Sequence, residues 1–256
     1  MWDPGEYRRF GDERSRAFFD LLARVGAEAP EVVVDLGCGP GTLTTALARR
    51  WPRAKVRGID SSPGMIGAAQ ALPDAGPRLS FALGDVRDWK PDGSVDVIIS
   101  NAVLQWVPEH LDVVARWAGF LGAGGWLAFQ VPGNFDQPSH RALRELCGSD
   151  RWSPLLAGVQ LNRQAADPAE YLDLLARARL ETDAWETTYV HVLHGDDPVV
   201  DWYKGTGLRP VLTALPPDQA EEFLADYRAR MRAAYPAASY GTVFGFRRVF
   251  TVATRR

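Results

Sequence analysis

Short apolar runs alternate with amphipathic segments through the first half of the chain. The first run, residues 32–36 (VVVDL), is rich in β-branched side chains, which favour a buried strand. Similar runs at 55–59, 79–83, 95–100 and 126–131 predict four more strands. Because helical segments separate these strands, the pattern predicts an α/β fold with a doubly wound, mostly parallel sheet that is covered on both faces.

The predicted helices carry their apolar residues at helical spacing. Phe18, Phe19, Leu22 and Val25 follow this spacing in residues 15–26, so a helix precedes the first strand. Three more helices are predicted between strands: one at 42–50, one that begins at Ser61, Ser62 and Pro63, and one at 111–121.

The second half of the chain is less regular. Residues 134–182 carry mainly helical signals, including an apolar face made by Tyr171, Leu172, Leu174 and Leu175. Strands at 184–193 and 242–253 would complete a seven-stranded sheet, with the turn-rich TGLRP (206–210) and a helix at 218–235 between them. We expect one domain, 1–256, whose parts are N-terminal lid helices at 1–30, a core at 31–133, the mainly helical 134–182, and the last strands at 183–256 with a helical lid insertion at about 195–240.

Composition narrows the possible partners and the compartment. The chain of 256 residues has 29 basic and 32 acidic residues, a net charge of −3, so a general nucleic-acid or membrane binder is not expected. Two cysteines and four scattered histidines do not suggest a metal site. The N-terminal residues lack the apolar core of a signal peptide, and no apolar run is long enough to span a membrane, so we expect a cytoplasmic protein.

A glycine loop follows the first strand. Gly37, Gly39 and Gly41 lie between strand 32–36 and the helix at 42–50, a design that brings a nucleotide close to the backbone at the carboxyl edge of a parallel sheet. Dinucleotide loops usually read G-x-G-x-x-G, whereas here Thr42 stands where the last glycine would be. Asp35 would repel a pyrophosphate but suits a sulfonium, so we favour S-adenosylmethionine; a nicotinamide-dependent oxidoreductase is the alternative from another class.

Polar residues also end the next three strands. Asp60 can accept hydrogen bonds from both hydroxyls of a ribose. Asp85 is placed to bind an adenine amino group while Val86 offers its N–H to a ring nitrogen. Asn101 begins NAVLQWVPEH, where backbone carbonyls and Gln105 could meet the amino-acid end of the cofactor.

The sequence around these residues resembles the class I S-adenosylmethionine-dependent methyltransferases, through DLGCGPG (35–41), Asp60 and GDV (84–86). This resemblance implies a Rossmann-like methyltransferase sheet. Cys38 is expected to make a backbone contact with the cofactor and to have no redox function. The predicted cofactor-binding residues are Arg14, Asp35, Gly37, Cys38, Gly39, Gly41, Asp60, Ser61, Met65, Gly84, Asp85, Val86, Asn101, Ala102, Gln105 and Trp106.

Longer stretches resemble one family of this group, trans-aconitate 2-methyltransferase. They are WDPGEYRRFGDERSRAFFDLLARV (2–25), GIDSSPGMI (58–66), SNAVLQWVPEHL (100–111), WETTYVHVL (185–193), DWYKGTGLRPVL (201–212) and FRRVFTVATR (246–255). The resemblance implies methylation of one carboxylate of trans-aconitate, which yields a monomethyl ester and S-adenosylhomocysteine. Another carboxyl methyltransferase, such as the malonyl-carrier-protein type, is the nearest alternative.

The chemistry of a carboxylate acceptor agrees with the residues present. A carboxylic acid with a pKa of about 4 is ionised at pH 7, so no general base is required, and the sequence offers no convincing base. A tricarboxylate must instead meet cations. The candidates that we place outside the sheet scaffold are Arg8, Arg9, Arg14, Arg16, Lys204, Arg209, Arg247 and Arg248. The residues that we predict to bind the substrate are Arg209, His191, His194, Trp202, Lys204, Tyr7, Arg16 and Tyr189.

Overall fold

The computed structural model describes residues 11–161 and 165–256, with side chains from Ser15 onward. Its helices are α1 (Gly11–Ala23), α2 (Thr42–Arg50), α3 (Pro63–Gln70), α4 (His110–Gly119), α5 (Pro138–Cys147), α6 (Pro168–Arg177), α7 (Pro198–Lys204), α8 (Arg209–Ala214) and α9 (Pro217–Ala234). Its strands are β1 (Val32–Leu36), β2 (Lys55–Asp60), β3 (Leu79–Leu83), β4 (Val95–Asn101), β5 (Leu121–Pro132), β6 (Glu181–Leu193), β7 (Ala237–Ala238) and β8 (Gly241–Thr254).

The strands form one sheet in the order β3-β2-β1-β4-β5-β8-β6, and β7 pairs with β8 beside this path. Strands β1 to β5 pair in parallel, whereas β8 pairs antiparallel with β5. The predicted α/β class and the seven strands of the main path are therefore confirmed; the two-residue β7 is an addition that the sequence pattern did not indicate.

Strand β1 is buried on both of its faces. Its side chains alternate between the faces. Val34 and Leu36 join the apolar cluster that contains Trp117 of α4, whereas Asp35 points to the other face and accepts a hydrogen bond from Thr44 of α2. Helices thus cover both faces of β1, as a parallel sheet requires.

The described chain divides into two compact units. The first unit takes the residues up to Pro132, then Ala165–Thr187 and Arg248–Arg256, and holds β1 to β5. The second unit takes Gly133 to residue 161 and Thr188–Arg247, so the predicted insertion at about 195–240 lies wholly within it. No helix of the described residues is long and apolar enough to cross a membrane.

The second unit has its own core around the start of α5. The Ser139 hydroxyl donates to the Tyr203 hydroxyl over 3.0 Å, and the Tyr227 hydroxyl donates to the Ser139 carbonyl over 3.2 Å. Phe223, Tyr227 and Met231, which repeat every four residues along α9, are all buried, as this spacing predicts.

Three local predictions were wrong. Phe19 is 49% exposed and Leu21 is buried in its place. Leu172 is 43% exposed, so it does not belong to the buried face of α6. Residue 121 begins β5 instead of ending a helix, because Leu121 pairs with Val95. The turn in TGLRP is confirmed through Leu208, and α8 begins at Arg209, where Pro210 stands in the first helical turn.

Candidate functional site

The glycine loop between β1 and α2 follows a path that side chains rarely allow. Gly37, Gly39 and Gly41 have φ of 82°, 55° and 80°, all in the left-handed region. The N–H groups of Gly37 and Cys38 both donate to the Ile59 carbonyl, over 2.7 and 3.0 Å, so the loop is fixed to the end of β2.

The three loop glycines differ in what lies beside them. A Cβ on Gly37 would overlap the Val103 side chain, and one on Gly41 would lie 2.7 Å from the Phe81 ring. A Cβ on Gly39 would meet no atom of the described residues within 4 Å. Gly37 and Gly41 therefore allow close packing, whereas the backbone at Gly39 borders open space.

Replacing Gly37 with alanine is expected to lower the free energy of unfolding by about 2–4 kcal/mol, because the new methyl group clashes with Val103 and φ is left-handed. Thermal or denaturant unfolding checks this. The double variant Gly37→Ala/Val103→Ala should recover the part due to the clash; a Gly37→Ala protein as stable as the wild type would contradict the loop geometry.

The Asp60 carboxylate connects the loops that follow β1 and β2. Its Oδ2 accepts from the Gly39 N–H over 2.9 Å, and its Oδ1 accepts from the Ser62 N–H over 2.8 Å. Its backbone carbonyl accepts from the Gly84 N–H over 3.0 Å, which adds the loop after β3. The ends of three strands are thus joined at the carboxyl edge of the sheet.

Asp35 lies beneath the glycine loop and is only 2% exposed. Burial raises the pKa of its carboxyl to about 6; the hydrogen bond from Thr44 Oγ1, 2.6 Å to Oδ2, opposes this shift, and the nearby charge of Asp60 adds to it. The predicted carboxylate is therefore in place, but Asp35 would act on a bound cation through its field and not through an exposed surface.

Cys38 is buried in the same loop. Burial, with the negative charges of Asp35 and Asp60, raises the pKa of its thiol well above the usual range. A thiol held in its protonated form is a poor nucleophile, which agrees with the expectation that Cys38 has no redox function.

The loop after β3 presents a donor more readily than an acceptor. Both oxygens of Asp85 are bound by Arg87: Oδ1 accepts from the backbone N–H and from Nε, and Oδ2 from Nη2 over 2.7 Å. These hydrogen bonds lower the pKa of Asp85. The Val86 N–H has no acceptor within the described part of the chain.

Strained backbone follows β4. Ala102 has φ of 57°, which is uncommon for a residue with a side chain and often marks a functional site. Its carbonyl accepts from Gln105 Nε2 over 2.7 Å. Gln105 Oε1 is buried with no hydrogen-bond partner among the residues that the structure describes.

Gln130, a buried polar residue on β5 beside Asn101, was missed; it is 1% exposed. The placement of Arg247 and Arg248 outside the sheet scaffold was wrong, because both belong to β8, where Arg248 is 5% exposed. Gln130 interrupts the apolar run WLAFQVP, and this polar residue inside a strand was the available signal. No sequence signal indicated the hydrogen bond between Gln130 and Arg248, because 118 positions separate the two residues.

The remaining cofactor candidates are spread around α3 and the turn after β4. Ser61 is exposed, Met65 is buried and its N–H donates to Ser62 Oγ at the start of α3, and Trp106 is half-buried. The side chain of Arg14 lies outside the described residues.

Most of the predicted substrate residues belong to the second unit. His191 packs against Trp202 with ring centroids 5.2 Å apart and against Tyr189 at 6.4 Å. Trp202 and Tyr189 are buried, Lys204 pairs with Asp201 over 3.3 Å, and His194 is exposed. The structure therefore brings His191, Trp202 and Tyr189 together.

Two further substrate candidates lie in the N-terminal part of the chain, and one begins a helix of the second unit. Arg16 is exposed on α1, whereas Tyr7 lies outside the described residues. Arg209 is the half-buried first residue of α8. Within the described residues, no group of three or more His, Cys, Asp or Glu side chains is arranged to hold a metal ion.

Comparison with known proteins identifies the family. A family model described as a methyltransferase domain matches residues 33–125. A trans-aconitate 2-methyltransferase of Streptomyces avermitilis is 54% identical over 98% of this chain and 96% of its own length. A second enzyme of that name, from Mycobacterium sp. strain KMS, is 51% identical over 99% of each chain. This chain belongs to the trans-aconitate 2-methyltransferase family.

Solved structures agree with the methyltransferase fold of this family. The YcgJ protein of Bacillus subtilis has a TM-score of 0.62 at 14% identity and covers 94% of this chain and 98% of its own. Geranyl diphosphate C-methyltransferase of Streptomyces coelicolor A3(2) has a TM-score of 0.52 at 20% identity, covering 94% of this chain and 77% of its own. The nicotinamide-dependent oxidoreductase is set aside, because the trans-aconitate 2-methyltransferase family consists of methyltransferases.

Proposed function

We propose that this protein transfers the methyl group of S-adenosylmethionine to one carboxylate of trans-aconitate. The observation that carries this proposal is the identity of about half of all residues with trans-aconitate 2-methyltransferases, which extends over nearly the whole chain and includes the second unit. A similarity confined to the methyltransferase domain would support only the cofactor.

The glycine loop and Asp60 are the proposed seat of the nucleoside. Open space beside Gly39 leaves room for the cofactor to approach the backbone. Each oxygen of Asp60 accepts one backbone N–H and keeps a further lone pair, so both can accept from ribose hydroxyls. Beyond β3, the Val86 N–H is the proposed donor to a ring nitrogen of adenine.

The turn after β4 is the proposed seat of the amino-acid end. Gln105 Oε1 has no partner among the residues that the structure describes, and an ammonium group would satisfy it. Leaving a buried acceptor unpaired costs about 1–3 kcal/mol, which binding of that group would recover. The strain at Ala102 fits a turn that is held ready for a ligand.

The proposed reaction needs no proton transfer. A lone pair of the carboxylate attacks the methyl carbon, the C–S bond breaks, and its electron pair stays on sulfur to give neutral S-adenosylhomocysteine. The acceptor has a pKa of about 4 and is ionised at pH 7. The protein would therefore work by aligning oxygen, carbon and sulfur and by removing water from the carboxylate. Arg209 and Lys204 remain the proposed cationic partners of the substrate, and His191 remains a proposed substrate contact.

Transfer of labelled methyl from S-adenosylmethionine tests this proposal, with trans-aconitate, citrate and isocitrate as parallel acceptors. We expect turnover on trans-aconitate well above the other two, and a product that releases labelled methanol in base, as an ester does. Cofactor binding without turnover on trans-aconitate would contradict the substrate and favour another small or carrier-bound carboxylic acid.

The pKa of Asp35 predicts how cofactor affinity depends on pH. At pH 7.5 a carboxyl with a pKa of about 6 is ionised, and at pH 5 it is mostly protonated. A sulfonium cation favours the ionised form, so S-adenosylmethionine binding should weaken as the pH falls through 6, by up to about tenfold between pH 7.5 and 5. Isothermal titration calorimetry at several pH values measures this.

S-adenosylhomocysteine is the matched ligand for that measurement, because it has the same amino group but a neutral sulfur. Its affinity should change much less over the same range. Asp35→Asn should flatten the pH dependence for S-adenosylmethionine. If both ligands weaken equally in the wild-type protein, the Asp35 carboxylate does not act on the sulfonium.

A further inference from the structure

A buried charge lies at the carboxyl edge of the sheet, where the parallel strands end. Arg248 is 5% exposed on β8, where it pairs with Pro132 at the end of β5. Burying a guanidinium costs several kcal/mol unless its hydrogen bonds repay it.

Arg248 begins a chain of hydrogen bonds that leads to the site. Its Nη1 donates to Gln130 Oε1 over 3.4 Å. Gln130 Nε2 then donates to Asn101 Oδ1, and the Gln130 carbonyl accepts from the Ala102 N–H over 2.9 Å. Gln130 is thus held by its side chain and its backbone to the two residues that follow Ser100.

The direction of this chain is fixed by chemistry. A guanidinium only donates, so it turns the oxygen of the Gln130 amide toward itself. The nitrogen of Gln130 must then face Asn101, and it turns the Asn101 oxygen toward Gln130. Asn101 Nδ2 is left on the other side of its amide, with no acceptor among the described residues.

We propose that Arg248 is a positioning residue that acts through Gln130 to present the Asn101 amide as a hydrogen-bond donor to a ligand carboxylate. This inference rests on the proposed function, which supplies two such carboxylates: that of the methionine end of the cofactor and those of the acceptor. Both kinds of carboxylate would accept a hydrogen bond from the same amide donor. We call the chain of hydrogen bonds from Arg248 through Gln130 to Asn101 the relay. Without the relay, the Asn101 amide could present its oxygen to the ligand, and an amide oxygen repels a carboxylate.

Gln130→Glu reverses the polarity of the relay and leaves the size of the side chain unchanged. A glutamate still accepts from Arg248 but cannot donate to Asn101, so the Asn101 amide turns its NH₂ inward and presents Oδ1 to the ligand. We expect carboxylate binding to weaken about 10- to 100-fold, the range for a hydrogen bond to a charged group. The melting temperature should not fall, because the glutamate gains an ion pair with Arg248.

Two binding measurements separate the carboxylates. For the cofactor, S-adenosylhomocysteine is compared with 5′-deoxy-5′-methylthioadenosine, which lacks the amino-acid carboxylate. If Gln130→Glu weakens the binding of S-adenosylhomocysteine alone, Asn101 binds the carboxylate of the cofactor. For the acceptor, a raised KM for trans-aconitate at saturating S-adenosylmethionine, with kcat changed less, assigns it to the substrate. Either result supports the relay.

Introducing Gln130→Glu into the Asn101→Leu variant distinguishes the effect of turning the Asn101 amide from the effect of the added negative charge. Gln130→Glu should have little effect there, because no amide remains to be turned. Arg248→Lys, which also only donates, should retain more carboxylate binding than Arg248→Met, and Arg49→Met serves as an exposed control.

The relay is overturned if Gln130→Glu binds both carboxylate ligands as the wild type does, or if its effect persists in full in the Asn101→Leu background. These results differ from a failure of the proposed function. A wild-type protein that binds S-adenosylhomocysteine but does not methylate trans-aconitate would disprove the substrate, and the S-adenosylhomocysteine comparison would still decide the relay.

Discussion

Gly39→Val is expected to weaken S-adenosylmethionine binding by at least about 100-fold. The valine side chain would project into the open space beside the loop, where the cofactor must approach the backbone. It would also strain a residue whose φ is 55°, at a cost of about 1–2 kcal/mol. Isothermal titration calorimetry with S-adenosylmethionine and S-adenosylhomocysteine measures the loss.

Gly124→Val is the matched control for this variant. Gly124 also has a left-handed φ, 76°, and a Cβ there would also meet no atom within 4 Å. It lies near the start of β5, and the proposed site lies at the other end of the parallel strands. Both variants should lose comparable stability, but only Gly39→Val should lose the cofactor. Normal affinity in Gly39→Val would show that the cofactor does not bind at this loop.

Asp60→Ala is expected to weaken cofactor binding by about 1.5–3 kcal/mol, or roughly 10- to 150-fold. The variant removes the proposed acceptor of the ribose hydroxyls and also the acceptor that holds the Gly39 and Ser62 N–H groups. Calorimetry gives the affinity, and thermal unfolding gives the loss of loop stability. Asp74→Ala, which removes an exposed ion pair with Arg49, controls for loss of one negative charge.

A cofactor analogue without ribose hydroxyls distinguishes the two effects of Asp60. If Asp60 binds the ribose, the analogue should bind wild-type protein and Asp60→Ala with more similar affinities than the natural cofactor does. If Asp60 only supports the loop, both ligands should weaken by the same factor, and the assignment to ribose would be wrong.

Most of the cofactor half of the site follows from local sequence. The acids and the glycines stand directly after short apolar strands, and the carboxyl ends of parallel strands meet at one edge of the sheet. This rule predicts that Asp60 lies at the same edge of the sheet as the glycine loop, and the structure joins Asp60 to Gly39 with a hydrogen bond. Local pattern sufficed because each of these residues is positioned by its own strand.

The rest depends on pairings between distant residues. Leu121 was predicted to end a helix, yet it pairs with Val95 and so extends β5. Trp202 is a predicted substrate contact, and the structure buries it in contact with Phe244 and Phe246. Aromatic residues have the same composition signal in a core as in a site, so sequence could not separate the two.

The raised pKa of the Cys38 thiol has a consequence for the chemical stability of the enzyme. S-adenosylmethionine is an alkylating agent, and a thiolate is among the strongest nucleophiles in proteins. A thiolate in the loop that is proposed to hold the cofactor would compete with the acceptor for the methyl group. Burial and the charges of Asp35 and Asp60 keep this sulfur protonated, so the two carboxylates proposed to favour the cofactor also protect the loop from methylating itself.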